Sequence, residues 1–200
     1  MIQNIFPLQI FTNNLNISDK KNSSYLSYIQ KKEYLKTRAG SLSSCTEDQN
    51  ILNNKIFNEL RSLILKQAKE YLNTLGHIFE DLQFSNSWAT KTDPGGFSAL
   101  HEHKNSYISG TYYMKESSYI SLKNPHFDKW FFDPDINFSK DNTYTYETLN
   151  FEPKEKSIIL FPSFLKHSVY INQQNKKRYS IAFNIIPKGN FGKITSKLNI

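Results

Sequence analysis

The stretch SALHEHKNSYISGTYYM, residues 98–114, combines a strand-like pattern with two closely spaced histidines, His101 and His103. On a β-strand, residues two apart point to the same face and lie about 6.6–6.8 Å apart. Both imidazoles can therefore reach one metal ion at metal–nitrogen distances of about 2.1 Å. Glu102, between them, points to the other face and is not expected to be a ligand.

Strand-like segments continue on both sides of this stretch and are separated by turn residues, such as Asp93-Pro94-Gly95-Gly96. The predicted strands are Leu82–Thr92, Ser98–His103, Tyr107–Met114, Tyr119–Leu122, Thr143–Leu149, Lys156–Phe161, His167–Ile171 and Arg178–Ile186. About eight strands at this spacing predict a mainly β fold, a jelly roll or similar two-sheet barrel. A parallel α/β fold is disfavoured because no helical pattern alternates with the strands.

The N-terminal part predicts support for this barrel. We expect an opening strand at Ile5–Phe11, a short helix near Tyr25–Tyr34 and loops in the rest of the polar segment 12–50. Apolar residues recur every three or four positions over Ile51–Leu75, which predicts a helix packed on a sheet and ended by Gly76. No repeat or linker appears, so we predict one domain, 1–200, with a core at about 79–188 and helical support at about 12–78.

The composition excludes some classes of function. The net charge is +7, but most of the 25 basic residues are scattered lysines, whereas nucleic-acid readers usually cluster arginines. No stretch approaches the about 20 apolar residues of a membrane span. The single cysteine, Cys45, fits a reducing compartment. We therefore expect a soluble cytoplasmic protein that binds neither membranes nor nucleic acid.

A third metal ligand and a carboxylate seat are predicted further along the chain. His167 follows the apolar strand SIILF and a Pro-Ser break, and then begins another strand. Three ligands on one side of a metal ion leave the opposite positions open. Arg178 opens the strand RYSIAFNII and shares a face with Ser180, an arrangement that suits a carboxylate.

Four ordered blocks resemble the iron(II)- and 2-oxoglutarate-dependent oxygenases. The similarity is to a branch of this family with four patterns. The segment HEHKNSYISGTYYM resembles the first two, His-x-His-Pro-Asn-Ser and Ser-Gly-x-Tyr-Tyr. The segment SIILFPSFLKHSV resembles Phe-Pro-Ser-x-Leu-x-His, and RYSIAFNI resembles Arg-x-Ser-x-x-Phe-Asn. The resemblance covers about Trp88 to Ile186, half of the chain. It implies a double-stranded β-helix, Fe(II) as cofactor, and 2-oxoglutarate and dioxygen as small-molecule partners.

The resemblance also implies roles for single residues. His101, His103 and His167 would hold the iron. Arg178 would pair with the distal carboxylate of 2-oxoglutarate, assisted by Ser180. The strand GTYYM resembles its counterpart in prolyl hydroxylases, which makes Tyr113 a further contact and leaves Tyr112 facing away. Asn105 would line the entrance.

The sequence departs from the family at three places. His103 stands where most of the superfamily has Asp or Glu, so all three ligands would be neutral imidazoles, a set that copper, nickel and zinc also favour. Lys104 replaces the branch's proline, and Asn124-Pro125-His126 stands in place of Asp-Pro-Arg.

Other residues with chemistry have simpler interpretations. We interpret His77 and His126 as ordinary histidines, Trp88 as a core residue, and the aromatic cluster Trp130–Phe132 as core, lid or substrate platform. Two alternative functions stay open at this point. One is a cupin-like three-histidine metalloenzyme that does not use 2-oxoglutarate. The other is a non-catalytic jelly roll with a structural metal.

Overall fold

A computed structural model describes residues 7–37, 40–127 and 146–200 of the 200-residue chain. The predicted aromatic cluster Trp130–Phe132 lies outside these residues. The two helices are α1 (Asp19–Gln30) and α2 (Asn58–Thr74). The strands are β1 (Phe11–Asn14), β2 (Tyr34–Lys36), β3 (Ser41–Thr46), β4 (Asp81–His101), β5 (Ile108–Tyr113), β6 (Ile120–Lys123), β7 (Thr148–Phe151), β8 (Ser157–Pro162), β9 (His167–Val169), β10 (Arg178–Lys188), β11 (Asn190–Phe191) and β12 (Leu198–Asn199).

Ten of these strands form one curled antiparallel sheet. Its order is β1-β8-β5-β10-β4-β9-β6-β7, with β3 paired to β4 and β2 paired to β3. β4 joins the two halves, because most of its length pairs with β10 and its last residues pair with β9. This is the mainly β, double-stranded β-helix predicted above.

Side chains alternate between two separate apolar clusters. On the outer face of the larger half, Ile181, Phe183 and Tyr112 pack with residues of α2 such as Leu60 and Ile64. On the inner face, a smaller cluster fills the space between the two halves of the sheet. It consists of Tyr113, Ile120, Leu122, Ile159, Phe161 and Leu165. The polar site described below shares this inner face.

The predicted helices have different boundaries in the structure. Residues 51–57 form two 3-10 turns instead of the first part of a long helix. Asn54 is extended and its side chain accepts a hydrogen bond from the Ile56 N–H (3.1 Å), so the chain restarts there. α1 begins at Asp19, six residues earlier than predicted, because Ser18 caps it. Gly76 ends α2 as predicted, with φ +78°.

Two predicted strands are one continuous strand. The Asp93-Pro94-Gly95-Gly96 segment was expected to be a turn, but β4 runs through it from Asp81 to His101. Two backbone hydrogen bonds join Asn172 to this segment. The Gly95 N–H donates to the Asn172 carbonyl, and the Asn172 N–H donates to the Gly96 carbonyl (both 2.8 Å). A register shift on β3, between Ser41 and Ser43, accommodates the extra residues of this segment.

The ends of two other predicted strands also move. The opening strand is β1, Phe11–Asn14, whereas residues 1–6 are outside the described part of the chain. The strand expected at Thr143–Leu149 is β7, Thr148–Phe151. Among the described residues, no helix is both long and apolar enough to cross a membrane.

Candidate metal and 2-oxoglutarate site

His101, His103 and His167 converge on one point inside the barrel. β4 ends at His101, which pairs in register with His167 at the start of β9, and His103 follows two residues later. The candidate ligand nitrogens of the three side chains all lie within 4.8 Å of one another. The Nε2 atoms of His103 and His167 are 3.3 Å apart. That distance fits two neighbouring ligands of one ion, each bound at about 2.1 Å.

Backbone carbonyls fix the rings of two of these histidines. The Nδ1 of His101 lies 2.7 Å from the Ala99 carbonyl oxygen, and the Nδ1 of His167 lies 2.9 Å from that of Leu165. A carbonyl oxygen only accepts, so Nδ1 carries the proton in both rings. Nε2 is then the unprotonated atom, free to bind a metal ion.

The electrostatic surroundings keep two of the three imidazoles neutral. Burial and the neighbouring His101 lower the pKa of His103 to about 4. The same two causes lower the pKa of His167 to about 3. A neutral imidazole is the form that binds a metal ion. Within the described residues this cluster contains no carboxylate, and Glu102 pairs instead with Lys104 on the outside.

Arg178 is a buried cation without an acidic partner in the described part of the chain. Its side chain is only 8% exposed, and its guanidinium donates to the Thr92 Oγ1 (3.1 Å) and to the Tyr170 carbonyl (3.3 Å). A guanidinium has five N–H donors in a planar fork. Because burying an unpaired charge is costly, the remaining donors favour an anionic ligand.

Tyr113 and Ser180 lie on the inner face near this cation. Burial raises the pKa of Tyr113 to about 12, while Arg178 and a hydrogen bond with Thr111 act in the opposite direction. Tyr113 is therefore a neutral hydroxyl within the electrostatic reach of Arg178. Ser180 is half-buried on the Arg178 face of β10. Tyr112 faces the other way, as predicted, and its hydroxyl donates to the Asn22 Oδ1 (2.9 Å).

Asn105 is not brought into the cluster. It lies in the exposed loop between β4 and β5, with φ +55°, at the edge of a cleft that His103 also lines. His77 and His126 also lie outside the histidine cluster, as expected. The His77 Nδ1 lies 2.6 Å from the Tyr107 hydroxyl.

The comparison with protein families agrees with this geometry. The model of a family described as "Putative 2OG-Fe(II) oxygenase" matches residues 86–184, about half of the chain. The matched segment contains all three histidines and Arg178. The chain belongs to this family of 2-oxoglutarate- and iron(II)-dependent oxygenases. It is accordingly an oxidoreductase with Fe(II) as cofactor and 2-oxoglutarate as co-substrate.

Solved structures share the fold of this oxygenase at low sequence identity. HygX from Streptomyces hygroscopicus, crystallised with nickel and 2-oxoglutarate, is 10% identical with a TM-score of 0.63, over 90% of this chain and 83% of HygX. A Pseudomonas putida prolyl-4-hydroxylase is 11% identical with a TM-score of 0.60, over 91% and 94%. The epimerase SnoN from nogalamycin biosynthesis is 10% identical with a TM-score of 0.68, over 93% and 82%. No curated protein matches the chain significantly.

Family membership favours the oxygenase over both alternatives considered from the sequence. A cupin-like enzyme without 2-oxoglutarate does not explain the match over residues 86–184. A closed structural metal site would have four protein ligands, whereas only three side chains converge within the described residues.

Sequence reasoning missed several residues of the oxygenase site. Thr92, which accepts from Arg178, stands directly opposite it in the β4–β10 register. Asn184 and Asn86 form another opposed pair on the same face, joined by a hydrogen bond of 2.8 Å. Strand alternation from Arg178 could have placed Asn184 on this face. Thr92 and Asn86, the partners on β4, could be identified only from the β4–β10 register.

Trp88 was expected to be a core residue, and this expectation was wrong. It is half-buried, lies opposite Ala182 on the inner face, and belongs to neither apolar cluster. Its ring centroid is 5.6 Å from that of His103. Its position along the strand could have indicated this, because Trp88 lies four residues before Thr92 on β4 and therefore points to the same inner face.

Proposed function

We propose that this oxygenase holds one Fe(II) ion through the Nε2 atoms of His101, His103 and His167, and holds 2-oxoglutarate through Arg178. The observation that carries the proposal is the convergence of three imidazoles inside the barrel, together with a buried guanidinium on the inner face of the same sheet that has no acidic partner among the described residues. The ion would supply redox chemistry that couples the oxidative decarboxylation of 2-oxoglutarate to the hydroxylation of a substrate carbon.

The donor set suits a divalent transition metal. His103 and His167, with their lowered pKa values, are ready to bind at neutral pH without first losing protons to solvent. Because no ligand carries a negative charge, the bound ion keeps its full positive charge. That charge favours the chelating keto acid end of 2-oxoglutarate. It also allows nickel or zinc to compete with iron.

Arg178 would orient the co-substrate from its far end. The Thr92 hydroxyl and the Tyr170 carbonyl fix the guanidinium, so its remaining donors are aimed before the carboxylate arrives. The hydroxyls of Tyr113 and Ser180 are proposed to complete this carboxylate seat. Such preorganisation lowers the entropy cost of binding.

The substrate would enter along the loop that follows His101. A cleft of about 430 Å³ is lined by His103 and Asn105 together with Tyr107 and Phe164. Phe164 is 61% exposed, which gives the cleft an apolar wall. We propose Asn105 as an entrance residue. The single cysteine, Cys45, supports a cytoplasmic location, and the scattered lysines support a substrate other than nucleic acid.

The test is an anaerobic titration of the metal-free protein with Fe(II) and then 2-oxoglutarate. A chelate of the keto acid on iron gives a metal-to-ligand charge-transfer band in the visible range, which we expect to saturate at one equivalent of iron. On admission of oxygen, succinate should form only when 2-oxoglutarate is present. No charge-transfer band, or oxygen uptake without 2-oxoglutarate, would contradict the proposal.

Arg178→Lys is the matched variant for this titration. It keeps the positive charge but loses the planar fork. We expect iron binding to be unchanged and the 2-oxoglutarate concentration for half-saturation to rise about 10- to 100-fold, as for the loss of a charge-assisted hydrogen bond. An unchanged half-saturation would remove Arg178 from the proposed role.

A further inference from the structure

A chain of polar side chains leads from the loop between β4 and β5, through the turn between β8 and β9, to His103. Ser106, Ser163 and Ser109 are linked hydroxyl to hydroxyl at 2.9 Å per step. The Ser109 hydroxyl then lies 2.7 Å from the side-chain amide of Asn184. That amide also lies 3.4 Å from the His103 Nδ1. Asn184 is 4% exposed and Ser109 is 2% exposed, so water does not compete for these groups.

His103 differs from the other two histidines in its Nδ1 partner. His101 and His167 have carbonyl oxygens there, which require a proton on Nδ1. Among the described residues, the His103 Nδ1 has only the Asn184 amide, which can present either an oxygen that accepts or an NH₂ group that donates. With NH₂ toward the ring, the proton of the neutral imidazole would lie on Nε2 and block the metal position. With Oδ1 toward the ring, the proton lies on Nδ1 and Nε2 is free.

The second orientation also satisfies every donor along the chain. The Asn184 NH₂ then donates to Ser109, Ser109 to Ser163, Ser163 to Ser106, and Ser106 to the Ile108 carbonyl, which lies 3.0 Å away. In the structure the Asn184 Nδ2 donates to the Asn86 Oδ1 and faces the His103 Nδ1, and its Oδ1 accepts from Ser109. The second orientation therefore requires both amides to exchange oxygen and nitrogen. The two amide orientations have the same shape and both satisfy the serine chain, so a metal ion on the His103 Nε2 decides between them.

We infer that Asn184 is a positioning residue that accepts a hydrogen bond from the His103 Nδ1–H and thereby holds Nε2 as a metal donor. The inference rests on the proposed three-histidine metal site. The Ser109 hydroxyl can donate or accept, so the serine chain satisfies the amide in this orientation. An outer partner of this kind typically contributes 10- to 100-fold to metal affinity.

The test is Zn(II) affinity, measured by competition with a chromophoric chelator, for the wild type and three variants. Asn184→Ala removes the acceptor and should weaken binding about 10- to 100-fold. Asn184→Asp keeps an acceptor that cannot donate, and should bind at least as tightly as the wild type. Asn22→Ala is the control, because Asn22 is an equally buried amide whose partners, Met114, Tyr112 and Glu155, are remote from the metal face. It should keep wild-type affinity.

Each result separates the inference from the proposed metal site. If Asn184→Ala binds Zn(II) as tightly as the wild type, the role of Asn184 is wrong. The role is also wrong if Asn184→Asp binds as weakly as Asn184→Ala. Both outcomes leave the proposed metal site intact. Failure of the wild type to bind Zn(II) would overturn the metal site as well.

A second measurement does not depend on how the variants fold. Long-range ¹H–¹⁵N spectra of the Zn(II)-loaded wild type should show His103 protonated at Nδ1 and bound through Nε2. An unprotonated Nδ1 in that state would also overturn the inference.

Discussion

Each histidine of this site was predictable to the extent that its own neighbours determine its position. His101 and His103 are two residues apart on extended chain, so their convergence follows from strand geometry. His167 required the in-register pairing of β9 with β4, for which the sequence offered only a strand start after Pro162-Ser163. Asn184 was missed as a partner of His103 because its contact depends on three strands that are distant in sequence.

The depressed pKa values of the buried imidazoles predict how the metal-free protein responds to acid. His103 and His167 titrate at about 4 and about 3 when folded, against about 6.5 when unfolded. Below pH 6.5 the unfolded chain binds more protons than the folded chain, so the free energy of unfolding falls as the pH falls. One pKa unit corresponds to about 1.4 kcal/mol, so we expect a loss on the order of 1–2 kcal/mol per imidazole by pH 5.

Denaturant unfolding in the presence of a chelator at pH 7.5 and pH 5 measures this loss. His103→Gln removes one titrating group and should lose less stability on acidification than the wild type. Asn22→Ala lowers stability but retains every histidine, and should keep the wild-type difference between the two pH values. Equal differences in His103→Gln and the wild type would show that His103 does not titrate as described.

Among the elements, the strands from β4 to β10 were predictable apart from their ends, whereas β2 and β3 lie in a segment that was expected to form loops. Alternation correctly separated Tyr113 from Tyr112 on β5, because adjacent residues of a strand face opposite sides. The Pro94-Gly95-Gly96 signal suggested a turn, but pairing with Asn172 keeps β4 continuous. Helix boundaries moved because side-chain caps at Ser18 and Asn54, rather than the apolar stripe, determine where the turns begin.

The two tyrosines of β5 give a matched test of this alternation. Tyr112→Phe leaves the buried Asn22 Oδ1 without its hydroxyl donor and should lower the free energy of unfolding by about 1–3 kcal/mol, with 2-oxoglutarate affinity unchanged. Tyr113→Phe should weaken 2-oxoglutarate binding about 3- to 30-fold and cost less stability. Chemical denaturation and the anaerobic titration measure the two effects. The reverse pattern would contradict the assignment of faces.

For the whole molecule, the strand-like segments and the spacing of turn residues predicted the mainly β class, and the block resemblance predicted the double-stranded β-helix. The order of strands in the sheet was not readable from residues alone, because it depends on pairing over long sequence separations. Placement of α1 and α2 on the outer face leaves the inner face to the polar site and its small apolar cluster. The division into a core at about 79–188 and an N-terminal support at about 12–78 stays a prediction.

The most direct test of the account is a crystal structure grown anaerobically with Fe(II) and 2-oxoglutarate. We expect the Nε2 atoms of His101, His103 and His167 to lie about 2.1 Å from one ion. We also expect the distal carboxylate of 2-oxoglutarate on the Arg178 fork, within hydrogen-bond distance of the Tyr113 hydroxyl. An ion bound without His103, or 2-oxoglutarate bound away from Arg178, would contradict the account.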